Sequence, residues 1–132
     1  MNEAMKYALK LLKRQDYFIK DLYDKLVEKG FNQKDVCSVI KDLVNMDFIN
    51  DEKLIYLKIS NLAISKKYGR KYILNYFSKK NVSMNLVLYC LDLFGTDIFK
   101  LNKEYIIKEL LSEGKEEKYI DYYLQKKGYE IE

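Results

Sequence analysis

A cluster of basic side chains with interleaved tyrosines is the part of this sequence best suited to binding chemistry. The candidate residues fall in one short segment: Lys66, Lys67, Tyr68, Arg70, Lys71, Tyr72, Lys79 and Lys80. Guanidinium and ammonium groups bind phosphates or carboxylates, and a tyrosine ring can stack on a base. Two alternatives stay open. The tyrosines could instead be half-buried with their hydroxyls at the surface. Lys79 and Lys80 could instead interact favourably with the negative, C-terminal end of a helix dipole.

The charge pattern around this cluster is one-sided. No Asp or Glu occurs from Lys53 to Leu91, whereas the same stretch contains eight Lys or Arg residues. Lysines that only solvate helix faces would be an alternative explanation, but elsewhere in the chain acids and bases alternate. The net charge of +4 permits a nucleic acid or an acidic protein as partner without requiring either. We therefore predict a basic binding surface in the middle of the chain.

Catalytic and metal-binding chemistry is poorly supported. The chain has no His, which excludes a Ser-His or Cys-His pair and an imidazole metal site. Cys37 and Cys90 are too far apart in sequence for a CxxC motif, and each fits an apolar helical stripe, so we expect both to be buried, reduced thiols. No glycine-rich phosphate loop is present. We expect a protein that is not an enzyme and needs no cofactor or metal.

The elements that position the basic cluster are predicted to be helices. Proline is absent and only five glycines occur, which disfavours an all-β fold. Apolar residues recur at helical spacing in eight stripes, beginning at Met5, Ile19, Val36, Ile55, Ile73, Val87, Ile106 and Ile120. No apolar run is long enough to cross a membrane and the N-terminus lacks a signal peptide's apolar stretch, so we expect a cytoplasmic protein.

The helices repeat along the chain. A shift of 51 residues superposes the apolar pattern of the first half on the second, and a further shift of 33 reaches the C-terminal part. The repeats run about 4–48, about 51–99 and about 102–132, the last being shorter by one helix. No flexible linker separates them, so we predict a single repeat-built domain over 1–132, with repeats packed end to end.

Each repeat contains a helix end followed by a tight turn. The equivalent positions are Gly30, Asn81 and Gly114, and we expect all three to adopt the left-handed conformation that ends many helices. Phe31 and Val82 follow the first two and can pack over the turn. Lys115 follows the third, so we expect that turn to be looser.

Several motifs taken in order resemble one known family. They are Ala8-Leu9, Asp21-Leu22, Lys25-Leu26, Lys29-Gly30-Phe31, Val39-Ile40, Phe48-Ile49-Asn50-Asp51 and Tyr68-Gly69. Their order and spacing resemble the RecX family, the small regulators of the RecA recombinase, over essentially the whole chain. The family often has a hydroxyl residue before the second helix. Phe18 occupies that position here, so another residue, such as Asp16, would have to cap the helix.

The resemblance implies a fold and a function. RecX-like proteins consist of three-helix repeats stacked into an elongated, curved array, which is either right-handed or left-handed. They associate with RecA filaments on single-stranded DNA and inhibit strand exchange and nucleotide hydrolysis, which implies a role in recombination, repair and the SOS response. A RecA filament is therefore the expected partner, with the single-stranded DNA backbone as a further contact and with no membrane or small-molecule substrate.

Two other functions stay open from the residues alone. A phosphate-contacting DNA-binding module would suit the basic middle repeat, although its last helix begins Ser83-Met84-Asn85 and so offers only one base-reading side chain near its start. A helical scaffold for another protein partner is the second. Tyr119 and Tyr122, which fall off the apolar stripe of the last helix, suit a protein interface, although a tyrosine-rich composition explains them equally well.

Overall fold

The computed structural model describes residues 2–131, and those residues are helical with no strand. They form eight α-helices and one π-helical segment: α1 Glu3–Arg14, α2 Ile19–Lys29, α3 Gln33–Asn45, α4 Asp51–Ser60, the π-helical segment Asn61–Ser65, α5 Arg70–Ser78, α6 Met84–Phe94, α7 Asp97–Ser112 and α8 Glu117–Lys127. The prediction of an all-α fold with one helix for each apolar stripe is therefore confirmed. No helix among these is long and apolar enough to cross a membrane.

The chain divides into two compact units, one up to Leu54 and one from Ile55 onward, and the boundary falls within α4. The predicted repeat boundaries remain a prediction. α6 ends at Phe94 and α7 begins at Asp97, and Gly95 between them has a positive φ of 85°.

The first unit is a three-helix bundle. Its buried side chains come from α1, α2 and α3 and from the segment after them: Ala4, Ala8, Leu22, Leu26, Val36, Val39, Leu43 and Ile49. Small alanines on α1 allow the other two helices to approach closely, and burial of the Leu and Val side chains contributes roughly 1.5–3 kcal/mol each. Cys37 is an exception to the predicted core. It is exposed because the inward face of α3 is set by Val36, Val39 and Leu43.

The helix ends of the repeat follow the expected geometry at two of the three junctions. Gly30 has a φ of 108° and Gly114 a φ of 80°. Asn81 was predicted to share this conformation and does not. Helix α5 already ends at Ser78, and the non-glycine residues with a positive φ in the described part of the chain are Asp47 and Lys67. The turn at Gly114 is not looser than that at Gly30. Lys115 N donates to Leu110 O at 3.0 Å, and Phe31 N donates to Leu26 O at 3.3 Å.

The start of α2 is capped from a distance. Phe18 provides no side-chain cap, and the expected cap Asp16 does not supply one either; instead the Ile19 N–H donates to Asp51 Oδ1 at 2.8 Å. This bond spans 32 residues and gives the Phe48-Ile49-Asn50-Asp51 motif a structural role. Burial raises the pKa of the Asp51 carboxyl, and the bond from Ile19 opposes that rise.

We expect Asp51→Ala to lower the free energy of unfolding by about 1 kcal/mol, the usual cost of losing an N-cap acceptor. Asp51→Asn keeps an acceptor oxygen without a charge to desolvate, so it should stay close to the parent protein. Urea unfolding followed by circular dichroism measures both. Asp16→Ala is the matched control, and an equal loss in that variant would contradict the long-range cap.

Candidate functional site

The basic cluster lies where the N-terminus of α5 meets the C-terminus of α8. Gly69 N donates to Lys127 O at 2.7 Å, and Lys71 N donates to Gly128 O at 3.1 Å. Two amide groups at the start of α5 are thus satisfied by carbonyls at the end of α8, and no side chain caps α5. The positive end of one helix dipole faces the negative end of the other, which adds a favourable electrostatic term.

Two glycines permit this contact, for different reasons. A Cβ on Gly69 would collide with the carbonyl of Gly128, although the φ of Gly69 is an ordinary −84°. A Cβ on Gly128 would collide with the backbone of Tyr72, and Gly128 in addition has a φ of 94°. The Tyr68-Gly69 pair of the sequence motif is therefore explained by close backbone approach rather than by a left-handed turn.

Tyr129 closes the contact from the C-terminal side. It is 6% exposed and its hydroxyl donates to Lys67 O at 2.6 Å, while Lys127 Nζ donates to Lys66 O at 3.1 Å. Lys67 has a φ of 58°, a conformation that costs a non-glycine residue roughly 1–2 kcal/mol. The two bonds hold the Lys66–Lys67 turn in that conformation.

Asn102 on α7 joins the same network. Its amide donates to Ala63 O at 2.7 Å, which satisfies a carbonyl of the π-helical segment, and it also hydrogen-bonds Tyr129. Asn102 is the buried polar side chain of the described core, and it was missed from the sequence. A polar residue at a helical spacing from Ile106 and Leu110 on the buried side of α7 was the available signal.

Gly128 was also missed, although Lys127-Gly128-Tyr129 has the same helix-end pattern as Lys29-Gly30-Phe31.

The two predicted tyrosines stack on each other. The rings of Tyr68 and Tyr72 lie 3.6 Å apart between centroids and within 4° of parallel, and Lys127 Nζ lies 4.4 Å from the centroid of Tyr68. A hydrogen bond to Tyr68 raises the pKa of the Tyr72 hydroxyl. Tyr68 therefore has a ring on one face and an ammonium group on the other, so a base would meet Tyr72 rather than Tyr68.

The Gly69–Gly128 contact divides the predicted basic residues between two grooves. Arg70 and Lys71 line one of about 330 Å³, which we call the basic groove. Its lining residues are Arg70, Lys71, Thr96, Phe99, Lys100, Lys103, Gly128, Tyr129 and Glu130. Lys100 and Lys103 were not predicted; they come from α7 and join the cluster only in the folded chain. Lys103 Nζ donates to Glu130 O at 2.8 Å, which fixes the lysine at the groove wall.

Lys66 and Lys67 line the second groove, of about 510 Å³, which we call the tyrosine groove. Its lining residues are Ser65, Lys66, Lys67, Tyr105, Ile106, Glu109, Leu110, Glu113, Lys115, Tyr119, Tyr123 and Lys127. Lys79 and Lys80 line neither groove; both are exposed at the end of α5, and Lys80 Nζ lies 4.9 Å from the ring centroid of Tyr76. That position fits the helix-end explanation for Lys79 and Lys80.

Known proteins match this chain along its length. A family profile described as RecX, first three-helix domain, matches residues 4–43. Regulatory protein RecX of Caldanaerobacter subterraneus subsp. tengcongensis is 27% identical over 135 residues, covering 98% of this chain and 66% of that protein. These matches make the chain similar to the RecX family. The RecX relatives are named as regulatory proteins.

Other RecX proteins are similar to this chain as well. Regulatory protein RecX of Legionella pneumophila is 28% identical over 89 residues, covering 66% of this chain and 57% of that protein. The crystal structure of RecX from Lactobacillus salivarius superposes with a TM-score of 0.85 at 21% identity, covering 98% of this chain and 88% of that one, which shows the shared fold. The chain spans just under two thirds of the Caldanaerobacter relative and less of the Legionella one.

We expect Gly69→Ala and Gly128→Ala each to destabilise the protein by roughly 1–3 kcal/mol or more, since the new methyl group forces the two backbones apart. Gly114→Ala is the matched control. Like Gly128 it has a positive φ, of 80°, but nothing lies within 4 Å of the added Cβ, so Gly114→Ala should cost only about 1 kcal/mol. Urea denaturation gives all three values. An equal loss in Gly114→Ala and Gly128→Ala would show that φ alone matters.

Stability should fall as pH rises from about 10 to about 12. Burial raises the pKa of Tyr129 to about 12, whereas an unfolded tyrosine titrates near 10. The folded state then holds more protons than the unfolded state across that range, so raising the pH favours unfolding. Tyr129→Phe should start lower, because it loses the bond to Lys67 O, but should decline less over the same range. An identical alkaline decline in both proteins, measured by urea midpoints, would contradict this role.

Proposed function

We propose that this chain is a RecX-type, non-enzymatic regulator that binds RecA filaments on single-stranded DNA and inhibits their recombinase and ATPase activity. The similarity to proteins named as RecX regulators supports a regulatory role, and the resemblance to RecX names RecA as the partner. The observation that carries the proposal is the basic groove, which is lined by four basic residues, Arg70, Lys71, Lys100 and Lys103, and by one acidic residue, Glu130.

The basic groove has the chemistry of a phosphate or carboxylate site. Arg70 and Lys100 are exposed, so their charged groups are free to meet a partner, and a guanidinium binds a phosphate through two parallel hydrogen bonds. Phe99 and Tyr129 add aromatic side chains to the lining of the groove. Its ligand is either the DNA backbone of the filament or an acidic surface of the recombinase.

The salt dependence of binding separates these two ligands. Each phosphate of single-stranded DNA that is neutralised by a protein cation releases a counterion and adds about −0.7 to the slope of log K against log salt. Four cations on phosphates would therefore give a slope of up to about −3 for free DNA. A flat dependence for free DNA, combined with inhibition of the filament, would place the contact on the recombinase instead. A steep dependence without any effect on RecA would favour the simple DNA-binding module.

We expect Arg70→Glu with Lys100→Glu to raise the concentration needed for half-inhibition of RecA by roughly tenfold or more, because two attractive contacts become repulsive. The measurement is RecA ATP hydrolysis on single-stranded DNA with the protein titrated in. Lys108→Glu with Lys118→Glu is the matched control: it has the same net charge, and both lysines are exposed on α7 and α8 outside the two grooves.

The same titration tests the function itself. Inhibition well below one protein per RecA subunit would indicate blocked filament ends or propagated disassembly, and inhibition near stoichiometry would indicate coating. No inhibition by a protein with intact helical circular dichroism would refute the proposed function and leave a scaffold for another partner. Equal weakening by the groove variant and the control would refute the groove as the anchor.

A further inference from the structure

The tyrosine groove differs chemically from the basic groove. Its cations are joined by two carboxylates, Glu109 and Glu113, and by the rings of Tyr105, Tyr119 and Tyr123. A groove that bound only phosphates would gain nothing from the carboxylates and little from the rings. Its volume falls within the roughly 300–1,000 Å³ that small-molecule sites occupy in proteins. A ligand with an aromatic ring, hydrogen-bond donors and negative charge fits this combination.

The rings of the groove are open to solvent. Tyr105 is 54% exposed and Tyr119 is 43% exposed, so neither serves as a core residue. Tyr119 is held in place by Tyr123, whose ring lies 6.4 Å away at an angle of 27°. A supported but exposed aromatic ring is the platform on which unpaired bases stack, and each such contact contributes to binding without regard to sequence.

A lysine accompanies each exposed ring. Lys67 Nζ lies 5.5 Å from the centroid of Tyr105, and Lys115 Nζ lies 4.9 Å from that of Tyr119. In a nucleotide the phosphates lie beside the base, so a cation beside a stacking ring matches both parts of the ligand. The lysine can leave the ring when a base takes its place, because a solvent-exposed cation–π contact is weak.

The carboxylates add the third part of base recognition. A hydrogen bond to Glu109 raises the pKa of the Tyr105 hydroxyl, so the carboxylate and the ring lie next to each other on α7. Carboxylates accept hydrogen bonds from amino groups on base edges, as Glu and Asp do from the N4 amino group of cytosine. Thymine has no amino group to offer. The groove should therefore favour cytosine over thymine.

The two lysines at the start of the tyrosine groove, Lys66 and Lys67, follow a strained stretch of backbone. The π-helical segment Asn61–Ser65 runs into Lys67 with its positive φ, and both features are rare in ordinary helix ends. If the preceding helix ended regularly, the backbone at Lys66 and Lys67 would have a lower conformational energy. Strain that is maintained by bonds from Tyr129 and Lys127 is typical of functional sites.

We propose that the tyrosine groove binds an unpaired base of single-stranded nucleic acid, stacked on Tyr105 or Tyr119, with the flanking phosphates at Lys67 and Lys115. The amino edge of the base points toward Glu109 and Glu113. The inference deepens the proposed function by adding base contacts to the phosphate contacts of the basic groove. It shares with the proposed function only the identity of the nucleic acid, since it does not require RecA.

Binding of the full chain to fluorescent oligodeoxynucleotides, followed by anisotropy, tests the site. The probes are dC and dT oligomers of equal length and an abasic oligomer with the same phosphates. We expect dC to bind more tightly than dT and the abasic oligomer to bind most weakly. Tyr105→Ala with Tyr119→Ala should weaken dC binding by about tenfold or more, toward the abasic level.

Matched variants separate stacking from folding. Tyr105→Phe with Tyr119→Phe keeps both ring faces and should retain most of the affinity. Tyr89→Ala with Tyr122→Ala removes two tyrosines that are 53% and 62% exposed outside the groove and should bind as the parent does. Glu109→Gln with Glu113→Gln should reduce the preference for dC over dT. The circular dichroism of every variant is compared with that of the parent chain.

Several results would overturn the site. Abasic and dC oligomers binding equally would mean that only phosphates are recognised, and an unchanged affinity of the Tyr105→Ala, Tyr119→Ala variant would remove the platform. A complete lack of oligomer binding would also refute it. These outcomes are distinct from failure of the proposed function. Base-dependent binding without RecA inhibition would refute only the regulatory proposal, and inhibition without base-dependent binding would refute only this one.

Discussion

The close approach of Gly69 and Gly128 is the constraint on which the second unit's surface depends. Because neither residue has a Cβ, the first amides of α5 reach the last carbonyls of α8, with Gly69 N only 2.7 Å from Lys127 O. The chain after α8 then runs inward far enough to bury Tyr129, whose hydroxyl holds the Lys67 carbonyl. Helix-end capping, a buried aromatic ring and a strained turn thus follow from one backbone contact.

The same contact gives the surface two chemical characters. Four basic residues that are neighbours in sequence are divided between its two sides, and each pair acquires new companions from α7 and α8. Lys100 and Lys103 join Arg70 and Lys71, which leaves a groove dominated by positive charge. Glu109, Glu113 and exposed tyrosine rings join Lys66 and Lys67, which leaves a groove of mixed charge with aromatic faces. Phosphate contact suits the first groove, and contact with a base suits the second.

In the first unit, the free amides at helix N-termini are capped either by a nearby side chain or by one far along the chain. Asn2 and Asn32 cap α1 and α3 locally, each accepting a bond from an amide three residues ahead. The start of α2 has no suitable local residue and takes its acceptor from Asp51, at the beginning of α4. In the second unit the start of α5 again lacks a local cap and uses distant backbone carbonyls. Motif residues that look ordinary in sequence therefore owe their positions to partners far along the chain.

What the sequence determined by itself was the local structure. Helical periodicity predicted all eight α-helices, and glycine predicted the left-handed ends at Gly30 and Gly114, because hydrogen bonds within helices and turns span only a few residues. It failed at the cap of α2, where a distant residue supplies the acceptor, and also at the exposure of Cys37 and the conformation at Asn81. Only the tertiary structure brought Lys100 to Arg70 and Glu109 to Lys67, and only it showed why Gly128 is needed. The bonds that fix this site join residues 61 and 62 positions apart, a separation at which one chain's residue pattern alone does not specify contacts.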